Sequence, residues 1–128
     1  MINLLNKLII GLNIIWLYIN YKMNTKEFEE IIIQVIKKIL NKSNGEFDVN
    51  KNMPLIGSGS LLDSMKLVEL CIELEDIAEK KGFDFDWTSE KAMSKSLSMF
   101  STVQTLAKEL LKQSEGKSWL LSLEQIED

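Results

Sequence analysis

The feature that most constrains this chain is the spacing of its apolar residues, which is helical wherever it is regular. Phe28, Ile31, Ile32, Val35, Ile36, Ile39 and Leu40 recur at intervals that place them on one stripe of a helix. Leu67, Leu70, Cys71, Leu74, Ile77 and Ala78 repeat the pattern, and Val103, Leu106, Ala107, Leu110 and Leu111 do so again. No strand pair of any length and no internal repeat is visible. Helices with one apolar stripe must bury it against another element, so the pattern predicts an all-α bundle. The 128 residues suit one domain, and 45% hydrophobic with 27% charged is ordinary for a chain with a modest core.

Start and stop signals predict the boundaries. Asn24 with Glu27 fits a capping box for the first confident helix, and Asn41, Asn44 and Gly45 end it. Residues 43–62 are predicted as a long loop, with the only proline, Pro54, and with Leu55, Ile56, Leu61 and Leu62 pinning it to the core. The second helix runs from about Ser64 to Lys81. Lys80 and Lys81 suit its negative end, and Gly82 suits the position beyond. Phe83 to Trp87 alternates apolar and acidic and reads as a short extended link. Phe83, Phe85 and Trp87 are expected as core and loop anchors, or as the border of a cavity between the second and third helices. Thr88 or Ser89 can cap a brief helix through about Lys95, and Ser94, Ser96, Ser98 and Ser101 read as loop around Leu97 and Phe100. The last helix is predicted from near Ser101, with Gln113 to Lys117 polar and frayed and a weak terminal helix over Trp119 to Ile126. The expected architecture is a small four-helix bundle: three longer helices, one short helix and a long first loop. The domain spans 23–113, with a C-terminal tail at 114–128.

Residues 1–22 differ from the rest. From Leu8 to Ile19 the chain is nearly all apolar, interrupted by Asn13. A membrane span needs about 20 apolar residues, and no small-residue cleavage pattern of a signal peptide follows Lys7. This hydrophobic N-terminal extension reads as a dispensable segment ahead of Met23, as an extra helix packed on the domain or on a second copy, or as a membrane anchor.

Bulk chemistry excludes several classes. The net charge of −4 gives no general attraction to nucleic acid and favours basic protein partners. The single cysteine forbids an internal disulfide and allows a reducing, cytoplasmic location. There is no histidine, which removes Ser-His-Asp and Cys-His nucleophile systems and most zinc sites. Gly57-Ser58-Gly59-Ser60 lacks the Gly-Lys-Ser/Thr ending of a phosphate-binding loop. Cys71 lies on the predicted buried stripe, as a structural thiol does.

Gly59-Ser60-Leu61-Leu62-Asp63-Ser64-Met65-Lys66-Leu67-Val68-Glu69-Leu70 places a serine, behind an aspartate, at the start of an amphipathic helix. Both residues cap helices well, and a phosphate group there would meet the helix's unpaired N–H groups and positive dipole end. Ser64 has no histidine to activate it, and Asp63 is a weak base, so it suits an acceptor better than a catalyst. With the long loop before it, the segment resembles the attachment site of acyl and peptidyl carrier proteins. Phe100-Ser101-Thr102-Val103-Gln104-Thr105-Leu106 is similar to the start of that family's last helix, and the resemblance covers roughly residues 24–113. It implies that Ser64 carries 4'-phosphopantetheine, delivered from coenzyme A by a phosphopantetheinyl transferase that brings its own metal ion. The arm's thiol would hold an acyl or aminoacyl group as a thioester for a loading ligase and a downstream acyltransferase or synthase. The protein would be no enzyme and would hold no metal.

In that resemblance Asp63 caps the helix and helps position the transferase's metal, and Met65 joins the recognition surface. The family docks through acids on this helix, here Glu69, Glu73, Glu75 and Asp76, with Glu79 also available. Each of these acids reads equally as part of a solvated face. Lys66 departs from the pattern, which usually has an acid there, and argues against service to an ordinary fatty-acid synthase. Fatty acid, polyketide, nonribosomal-peptide amino acid and surface-polysaccharide substituents all stay open as cargo. A monomer without membrane association is expected. The alternative is an unmodified carrier-like helical adaptor that acts only through protein binding; a small membrane-anchored scaffold driven by residues 4–21 is a third.

Overall fold

The structure, a computed structural model, describes residues 3–21, 23–41 and 47–116, with the backbone alone at 16–21. Five helices follow in order among the described residues: α1 (Leu4–Tyr21), α2 (Thr25–Asn41), α3 (Ser64–Lys80), α4 (Glu90–Met99) and α5 (Val103–Gly116). No strand occurs among the described residues. α2 packs on α5 and α3, and α4 packs on α5. These four form the small helical bundle. α1 takes no substantial part in that packing, and no helix among the described residues is long and apolar enough to cross a membrane.

The apolar stripes meet as their spacing demands. Ile32 and Ile36 of α2, Leu70, Cys71 and Leu74 of α3, and Val103, Leu106 and Leu110 of α5 are fully buried. Each large aliphatic side chain sealed in this way contributes roughly 1.5–3 kcal/mol. Leu67, Ile77 and Leu111 sit at the margin, half-buried against this core. Asn24 caps α2 through its Oδ1, which accepts the Glu27 N–H at 2.9 Å. α3 ends in a Schellman turn, with the Phe83 N–H donating to the Ala78 carbonyl at 3.0 Å and the Gly82 N–H to that of Glu79 at 3.1 Å. Gly82 adopts φ +92°, where an L side chain is strained. The turn delivers Phe83 edge-on to Phe28 of α2 at 6.1 Å between ring centroids.

The loop before α3 is held by its backbone as well as by side chains. The Leu55 N–H donates to the Phe100 carbonyl, the Val103 N–H to that of Met53, and the Gln104 N–H to that of Lys51. The last two satisfy N–H groups at the start of α5 that its own helix leaves orphaned. Met53, Leu55 and Leu62 are buried and Ile56 half-buried, but Leu61 is exposed, so the pinning expected of four residues is done without it.

Two further boundaries differ from expectation. α4 does not stop near Lys95 but continues to Met99. Its serines are accommodated within the helix, their hydroxyls donating back to carbonyls one turn earlier: Ser94 to Lys91, Ser96 to Met93 and Ser98 to Lys95. α5 runs three residues past 113, to Gly116, after Thr102 and Thr105 cap its start reciprocally. Asn44, Gly45 and the terminal helix expected over Trp119 to Ile126 lie outside the described residues.

Candidate functional site

Ser64 is the first residue of α3, and its position follows from the residues before it. Ser60 closes a turn on Leu62, its Oγ accepting the Leu62 N–H at 3.0 Å. Leu62 is buried and anchors the chain one step ahead of the helix. Asp63 then adopts extended backbone, φ −80° and ψ 178°, and its Oδ1 accepts the Lys66 N–H at 2.8 Å. That bond takes up one of the orphan first-turn N–H groups and leaves Ser64 exposed at the positively polarised end of the helix.

Lys66 folds back on this cap, its Nζ lying 3.9 Å from Asp63 Oδ2. Lys66 therefore shares the charge of the aspartate beside the serine. Met65 is 83% exposed, Val68 43% and Ile72 54%. These three, spaced one helical turn apart, form an apolar ridge on the face of α3 opposite its buried stripe. With Asp63, Lys66, Glu69 and Glu73 they line an open groove of about 510 Å³. Val68 and Ile72 were not singled out from sequence. The signal was available, because both are apolar residues of α3 that fall off its core stripe.

Four acids of α3 are engaged rather than idle. Glu73 pairs with Lys38 of α2 at 3.6 Å and Asp76 with Lys80 at 3.2 Å. Glu75 accepts the Trp87 indole N–H at 2.5 Å. Glu69 is half-buried and has a partner of its own. Exposed pairs of this kind contribute roughly 0–1 kcal/mol and are exchanged at low cost. Met65, Glu69 and Glu73 therefore stand together at the groove beside Ser64. Glu75 is tied to Trp87, and Asp76 lies one turn farther along.

The link from α3 to α4 is built to hold its shape. Phe83 and Phe85 are buried and Trp87 half-buried, as anchors should be. Gln113 grips Asp86 twice, accepting its N–H at 2.6 Å and donating to its carbonyl at 3.0 Å. Asp86 Oδ1 in turn accepts the Ser89 N–H at 3.1 Å, and Ser89 Oγ accepts the Ala92 N–H at 3.1 Å to cap α4. Gln113, expected in a frayed end, is thus the clamp that places the start of α4.

Cys71 is sealed in the core, and burial pushes its thiol from an ordinary 9.0 up to about 12, with the Glu75 charge adding to the effect. It is no nucleophile. No group of three or more metal-ligating residues occurs among the described residues. No protein-family model, curated protein or solved structure matches the chain.

Proposed function

We propose that this protein is a carrier of acyl or aminoacyl groups, held as a thioester on a 4'-phosphopantetheine arm attached to Ser64. The observation that carries the reading is the presentation of Ser64: an exposed hydroxyl at the capped N-terminus of α3, beside a ridge of Met65, Val68 and Ile72 that the bundle itself does not cover. The family resemblance of residues 59–70 and 100–106 supports it, and so does the all-helical bundle.

The chemistry divides between two proteins. The Ser64 hydroxyl attacks the β-phosphorus of coenzyme A. The transferase removes its proton, and 3',5'-adenosine bisphosphate leaves. Only the transferase needs a base and a metal ion, which agrees with a chain that has no histidine. The phosphodiester formed would sit at the positive end of α3, where the dipole favours an anion. The groove offers a visiting enzyme an apolar ridge bordered by Glu69 and Glu73, so a partner that presents apolar side chains flanked by lysine or arginine fits it.

Incubation with coenzyme A and a broad-specificity transferase should add one phosphopantetheine by mass, and Ser64→Ala should abolish the addition. The exposed ridge also suits the unmodified adaptor. No mass change with several transferases would select the adaptor and retire the carrier reading.

A further inference from the structure

α4 differs from the other three helices of the bundle in how it is held. Of its ten residues only Ala92 and Met99 are buried, and Met99 is the last. Glu90, Lys91, Met93, Ser94, Leu97 and Ser98 are exposed, so the first two turns seal no more than the methyl group of Ala92. α2, α3 and α5 each bury at least four residues along a stripe. A helix of ten residues is too short to persist alone in water, so α4 depends on its attachments.

Those attachments are of two kinds. The C-terminal end is anchored in the core. Met99 and Phe100 are buried, the Met99 carbonyl accepts the Thr105 hydroxyl at 3.0 Å, and the Phe100 carbonyl accepts the Leu55 N–H at 3.3 Å. The N-terminal end is held by polar ties. Gln113 bonds the Asp86 N–H and carbonyl, and half-buried Trp87 donates its indole N–H to Glu75 of α3. Lys95 Nζ lies 3.6 Å from Glu109 Oε1, which also accepts from Gln113 Nε2 at 3.1 Å. Gln113 therefore joins the link and the Lys95–Glu109 pair in one network. Polar ties that break are exchanged for bonds to water at modest net cost. Drawing Met99 and Phe100 out of the core would expose two large apolar side chains. The two ends of α4 are thus held very unequally.

We propose that α4 is a hinged strap, latched by Gln113. It swings about Met99 and Phe100, releases the link from Asp86 onward, and uncovers the side of α5 that carries Glu109 and Gln113, while α2, α3 and the rest of the core stay packed. Segments with few buried apolar contacts open at free energies well below that of global unfolding. The device is independent of Ser64 and its chemistry.

Amide hydrogen exchange of the full chain, read residue by residue by NMR, tests this. In the parent, the Met93 to Ser98 amides should be less protected than those of Ile36, Leu74 and Leu106 by roughly tenfold or more, and low concentrations of urea should change their exchange little. Gln113→Ala removes two hydrogen bonds made only in the closed state and should speed α4 exchange about tenfold. Ile36→Val, in the core that stays packed, should speed exchange of the core amides about fivefold and leave α4 unchanged. Two results would each overturn the proposal: α4 amides that exchange at the core rate and respond to Ile36→Val as the core does, or α4 amides indifferent to Gln113→Ala.

Discussion

Asp63 supports two separable ideas, and one pair of substitutions divides them. As a helix cap it acts through an acceptor oxygen, 2.8 Å from the Lys66 N–H. As a charged group it acts through its carboxylate, 3.9 Å from Lys66 Nζ and beside Ser64. Asp63→Ala removes both. Loss of a cap of this type costs about 1 kcal/mol, and loss of a negative charge at the helix's positive end adds about 0.5 kcal/mol. The Lys66 pair is long and its aspartate 64% exposed, so solvent screening reduces its share to nearly nothing. Asp63→Asn keeps the acceptor and loses only the charge. The expectation is a destabilisation of about 1.5 kcal/mol for Ala and about 0.5 kcal/mol for Asn. At roughly 4–8 °C of Tm per kcal/mol for a domain of this size, the two should differ visibly. Urea unfolding followed by circular dichroism should show the midpoint falling with an unchanged slope. Equal losses for Ala and Asn, or an Ala variant as stable as the parent, would refute the capping argument. Modification of Ser64 gives the second readout. If the carboxylate assists the transferase, Asn should slow the reaction although the fold is nearly intact.

Other expectations follow from the same structure. Leu74→Ala empties a fully buried position and should cost about 2–5 kcal/mol, whereas Leu97→Ala, at a 77% exposed position, should stay within about 0.5 kcal/mol in the same unfolding assay. Gly82→Ala meets no atom within 4 Å but must hold φ +92°, so it should destabilise by about 1–2 kcal/mol through backbone strain alone; Gly11→Ala, on an exposed helix, should not destabilise. Cys71 should resist alkylation at pH 8 in the folded protein and react once urea unfolds it. Because its folded pKa is raised, the unfolded chain gives up the proton first. Its contribution to stability is present below about 9.0 and is lost as pH rises toward about 12, which a urea-midpoint series against pH would record. Glu69→Lys with Asp76→Lys should slow modification or transfer, more so at low salt; rates unchanged at every ionic strength would remove these two acids from the docking surface.

Much of the bundle is legible in the residues because a helix with one apolar stripe has few ways to bury it. The stripes on α2, α3 and α5, the Asn24 and Asp63 caps and the Gly82 turn are local signals, written within a few residues of where they act. α4 was harder. Its serines read as loop breakers, and only a helix already anchored by buried Ala92 and Met99 and capped by Ser89 gives their hydroxyls carbonyls to bond. Around the candidate site, Ser64, Asp63 and Met65 stood out in the sequence, but the ridge they belong to did not, because exposure of Val68 and Ile72 depends on which side of α3 the other helices occupy.

The sequence by itself determined the helical class, most helix limits, the absence of histidine chemistry and the placement of a serine at a helix start. These depend on periodicity, capping and composition, which act over one or two turns. Tertiary structure decided what is shared between distant residues. It engaged Glu73 with Lys38 and Glu75 with Trp87, clamped Asp86 with Gln113, and left the apolar side chains of α1 outside the core. The physical reason is that burial and long-range pairing are set by which surfaces meet, and no local pattern encodes which of two apolar faces the bundle will cover.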